Sequence, residues 1–172
     1  MKTTLLARLG AIGMTSVTLL AGVAAPTGHS NSFRAALTGD VRATISGTAT
    51  FGRVTGGIGA PDAFTLNLGT DSFLGAVLFT RTTGTGLSVG SYPVSDAGHG
   101  SDEIQALVML GRADRPAGVF RVQSGTLTIT SVSDHLLTGL FALDATGFLA
   151  SAPQRENQQV HVSGSFTARG ND

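Results

Sequence analysis

The stretch VRATISGTATF, residues 41–51, decides the fold class. Val41, Ala43, Ile45, Gly47, Ala49 and Phe51 fall on one parity, and Arg42, Thr44, Ser46, Thr48 and Thr50 on the other. That period of two belongs to a strand with one buried face; a helix would scatter the same residues around its circumference. Phe64 to Leu68 repeats the pattern, and so do Leu127 to Thr130 and Val160 to Ala168. Ile104 to Leu110 is apolar almost throughout, as in a central strand. Turn signals separate the runs: Thr55-Gly56-Gly57, Ala60-Pro61-Asp62, Ala97-Gly98-His99-Gly100 and Ala113-Asp114-Arg115-Pro116. Strands at such short intervals predict an all-β fold, an antiparallel β-sandwich or closed β-barrel of about eight or nine strands. Asp144 to Gln159 is the best helical candidate, but Pro153 and the polar run after it mark a loop.

Three strands carry a glycine after a hydroxyl residue, with a phenylalanine close by: Ser46-Gly47 with Phe51, Thr138-Gly139 with Phe141, and Ser163-Gly164 with Phe166. Glycine weakens a strand unless something needs the space, so bends, bulges or rings laid over bare backbone are expected. The strands at 41–51 and 160–168 share a local pattern and are expected side by side, closing the fold near the termini.

Residues 1–24 read as a secretory signal. Lys2 and Arg8 supply the positive start, Leu9 to Val23 the apolar middle, and Gly22-Val23-Ala24 the small residues before a cut between Ala24 and Ala25. A retained signal would instead serve as an N-terminal anchor. Residues 25–40 read as a flexible tail and 41–170 as a single all-β domain. The remaining 148 residues bury about 70% of their unfolded surface, enough to do without disulfides. The chain has no cysteine. Without the signal it has no lysine, nine scattered arginines and a formal charge of about −2, which excludes a concentrated basic face for nucleic acid. No second apolar run reaches the length of a membrane-spanning helix.

Gly90-Ser91-Tyr92-Pro93-Val94, Gly125-Thr126-Leu127-Thr128-Ile129, Leu137-Thr138-Gly139-Leu140-Phe141 and Val162-Ser163-Gly164-Ser165-Phe166 form an ordered set. The set resembles a group of exported bacterial β-domains of unassigned function, in which G-x-Y, G-T-L-T-I, L-x-G-x-F and V-x-G-x-F elements recur in that order. The resemblance spans roughly residues 41–168. It implies an all-β fold and an envelope location, and no reaction.

Four local patterns bear on chemistry. Gly86-Leu87-Ser88-Val89-Gly90 matches a nucleophile elbow in letters, but that elbow needs a strand before it and a helix after it. The loop from Ser95 to Glu103 gathers three carboxylates, Asp96, Asp102 and Glu103, with His99, and could hold a cation. Its spacing is not that of an EF-hand, and charge there also keeps a hairpin soluble. His99, His135 and His161 lie far apart in sequence, yet a β fold can bring such residues to one end, where imidazoles with Asp96 or Asp102 would suit copper or zinc. Asp134 and Asp144 flank one strand and read as turn residues rather than a glycosidase pair.

Three functions are therefore weighed. The first is a non-enzymatic, exported module, periplasmic, surface-bound or secreted, that binds an envelope or surface protein by strand addition or self-associates. The second is a histidine-site metalloenzyme, a copper oxidoreductase of the superoxide dismutase kind. The third is a lipocalin-like carrier with an apolar ligand inside a barrel.

Overall fold

The computed structural model describes residues 31–55, 63–69, 76–82, 86–96, 104–112, 115–151 and 157–171. Nine strands and no helix occur among them: β1 (Ser32–Gly39), β2 (Ala43–Val54), β3 (Ala63–Gly69), β4 (Ala76–Arg81), β5 (Gly90–Ser95), β6 (Gln105–Arg112), β7 (Arg115–Val132), β8 (Leu136–Leu149) and β9 (Gln158–Gly170). β1, β2, β3, β4, β6, β7, β8 and β9 pair in that order with antiparallel neighbours, and β9 returns to β1. The fold is a closed eight-stranded barrel plus β5, not a sandwich.

β5 continues the line of β6. Both run antiparallel to β7, β6 against Arg115–Arg121 and β5 against Ser124–Ile129. The end of β5 is bonded to Ile104, just before β6. There Ser95 N–H donates to Ile104 O (3.0 Å) and Ile104 N–H donates to Pro93 O (3.2 Å). The polar stretch expected as a hairpin loop thus joins two strands that run in the same direction along β7, and its residues 97–103 lie outside the described residues.

The alternation at 41–51 puts Ile45 and Ala49 in the core, at 2% and 0% exposure. Around the barrel, large and small residues face each other in register. One row runs Leu127, Phe141, Gly164, Ala35, Ile45; the next runs Ile129, Gly139, Phe166, Phe33, Gly47. Each ring thus lies beside a residue with little or no side chain, which is how a narrow barrel fills without voids. A Cβ on Gly139 would collide with Thr128 O and the Phe166 ring; one on Gly164 would come 2.7 Å from the Phe141 ring. The rings do lie over bare backbone as expected. They do so across the sheet: Phe166 covers Gly139 and Phe141 covers Gly164. Phe79 and Phe141 meet edge-on across the interior, centroids 5.6 Å apart.

Two expectations are corrected. The supposed tail at 25–40 contains β1, whose Phe33, Ala35 and Leu37 are 2–3% exposed. Alanine at both inward Ala35 and outward Ala36 blurs the alternation there. β1 also separates the two strands expected side by side: β2 reaches β9 only at Thr50–Arg169 and Phe51–Gly170. Closure near the termini holds, through β1 and β9.

Candidate functional site

The outer wall over β7, β8 and β9 carries a cluster of polar side chains. Asp144 and His161 are register partners on β8 and β9, both facing out, with His161 Nδ1 2.9 Å from Asp144 Oδ1. Their side chains are 67% and 48% exposed. Ser124 and Thr38 continue the row on either side. A register shift between Val122 and Ser124 bulges Gln123 out of β7 beside this pair. The shift also lets Val122 and Leu127 both face the core despite opposite parity. Gln123, Thr146, Gln159 and the Asp144–His161 pair line a depression of about 430 Å³. Asp40 braces its far side: Asp40 N–H donates to Gln159 O (2.9 Å), and Gln159 N–H donates to Asp40 Oδ2 (2.8 Å).

A second depression, of about 480 Å³, lies on the β4–β6–β7 wall. Leu78 and Leu107 form its apolar floor, with Gln105, Asp96 and Arg121 at its rim. Asp96 Oδ1 is 3.3 Å from Arg121 Nε. Chemically, the wall offers exposed donors and acceptors of both signs. A carboxylate that receives Nδ1–H fixes the imidazole tautomer and leaves Nε2 as an acceptor. One imidazole and one carboxylate are two ligands where zinc takes four, too few to hold it by themselves.

The five candidate metal ligands do not come together where they are described. His99 and Asp102 lie outside the described residues. Asp96 is engaged with Arg121, and His161 with Asp144. His135 sits in the turn between β7 and β8, where its carbonyl accepts from Gly170 N–H at 3.0 Å. Along β8 that turn is nine positions from Asp144, about 30 Å, so His135 and His161 occupy opposite ends of the barrel. No group of three His, Cys, Asp or Glu able to hold a metal occurs among the described residues. Asp144, read as a turn residue, lies inside β8. The nucleophile-elbow match is followed by β5, not a helix, and Ser88 Oγ is 3.0 Å from Tyr92 Oη.

Sequence reading missed Arg81. It ends β4 on the inward parity of Val77 and Phe79, and its guanidinium lies 5.7 Å from the centroid of the Tyr92 ring. Tyr92 Oη donates to Ser88 O and accepts from Ser88 N–H, both at 2.9 Å. Together with buried Leu87, this cluster lies where β5 succeeds β6 in the wall. An arginine in phase with an apolar strand was the available signal.

No family model, curated protein or solved structure matches this chain.

Proposed function

We propose that this chain is an exported, non-enzymatic β-barrel module of the cell envelope or its surroundings that binds a protein partner through the outer wall of β6 to β9. One observation carries the reading: exposed ionic and amide side chains gather around two depressions on that wall, while aromatic rings meet across the interior. The space a carrier would give its ligand is crossed by those rings. Strand addition also finds little to pair with. Closure occupies the strand edges, and Pro93 on β5 has no N–H to offer. Recognition therefore runs through side chains. Arg34, Ser46, His161 and Arg169 on the outside of β1, β2 and β9 suit water, the reverse of a lipid-facing barrel. The signal-like residues 1–24 and the resemblance to exported β-domains support export.

The test uses an oddity of composition. Lys2 is the only lysine and belongs to the signal. Carbodiimide coupling of carboxylates to amines in the intact exporting host will therefore join this chain chiefly to other proteins. An adduct to one envelope protein, mapped to Asp96 or Asp144, is the expected result. Adducts confined to Asp134 at the far end, or none, would overturn the proposal.

A further inference from the structure

On β1, β2 and β9 outward positions are mostly polar, but on four neighbouring strands the rule fails. Leu78 on β4, Leu107 and Met109 on β6, Val119 on β7 and Phe148 on β8 all point outward. Register makes them contiguous. Met109 pairs with Val119 and Val119 with Phe148, while Leu107 pairs with Leu78 one row away. Phe148 is 49% exposed and projects from one side of the patch. Leu107 and Leu78 line the 480 Å³ depression on the other side, two and three strands away. A projecting apolar ring and an apolar-floored recess thus share one face, with Met109 and Val119 between them. That is the condition for an isologous contact, in which residue i of one copy meets j of the other and j meets i.

We propose that this face is a homodimer interface, with Phe148 of each copy seated on Leu78 and Leu107 of the other and the two-fold axis passing near Met109 and Val119. Charge favours a second copy over a highly charged partner. Arg121, beside Leu107 and two residues from Val119 on the same face, is paired with Asp96 at 3.3 Å, and the chain is close to neutral. The dimer face shares the Asp96–Arg121 depression with the proposed partner surface; coupling at Asp96 and Asp144 reads the partner, whereas Phe148, Leu107 and Val119 read the dimer.

Two measurements on the exported chain test it. Sedimentation from micromolar to millimolar concentration is expected to show a monomer–dimer equilibrium. Phe148→Glu and Leu107→Arg should each weaken it by roughly 30-fold or more, as loss of a central anchor does. Because the chain has no cysteine, Val119→Cys reports the axis: mild oxidation should link two copies at Cys faster than in Thr44→Cys, which sits on a different wall. A chain that remains monomeric into the millimolar range overturns the proposal, whether or not it adheres to vesicles or another protein. So does a dimer indifferent to Phe148→Glu, or equal linkage at both positions.

Discussion

At the residue scale, glycine opposite phenylalanine fixes how the barrel fills. Gly147 is the tightest case, because a Cβ there would run into the backbone of Val119 and Phe120. No positive φ is involved, so the cost is steric. Gly139→Ala and Gly147→Ala should each destabilise by about 2 kcal/mol, the usual cost of overpacking, and lower the thermal midpoint by several degrees. A midpoint unchanged in both would refute the packing account. The Asp144–His161 contact is different in kind. Both groups are about half exposed or more, so His161→Ala should change stability by no more than about 1 kcal/mol. The parity of His161 was legible in the sequence, but its partner was not. Seventeen residues separate them, and only the β8–β9 register brings them together.

At the element scale, β2, β3 and β9 could be read from their alternation because each keeps one parity from end to end. β7 could not be read whole, since its register shifts at Gln123 and Thr130 reset the phase. β1 was hidden by small residues on both faces. Its importance is nonetheless large, because it joins β2 to β9 and hides both edges. A chain beginning at Asn31 should retain a cooperative thermal transition. One beginning at Val41 should lose it and aggregate, as two long edges are opened. Cooperative melting of the shorter chain would show that β1 is dispensable. Barrel and sandwich could not be told apart in advance, because the same alternation buries one face in either. Only the β1–β9 and β7–β8 pairings decide the matter, and no local pattern encodes them.

At the scale of the whole molecule, closure has two consequences for function. It withdraws backbone edges from recognition, and it commits the apolar face of nearly every strand to the interior. The outer wall is left to meet other molecules. Imidazoles at opposite ends cannot share an ion, so calorimetric copper titrations of His135→Ala and His161→Ala should show independent effects. Loss of all binding in both variants would instead imply a joint site. The most direct test of wall recognition is a photo-crosslinking amino acid placed in turn at Gln123 and at Thr44, in the native host. The account expects a discrete adduct with one envelope protein from position 123 and none from position 44. Equal adducts from both walls, or none from either, would contradict it.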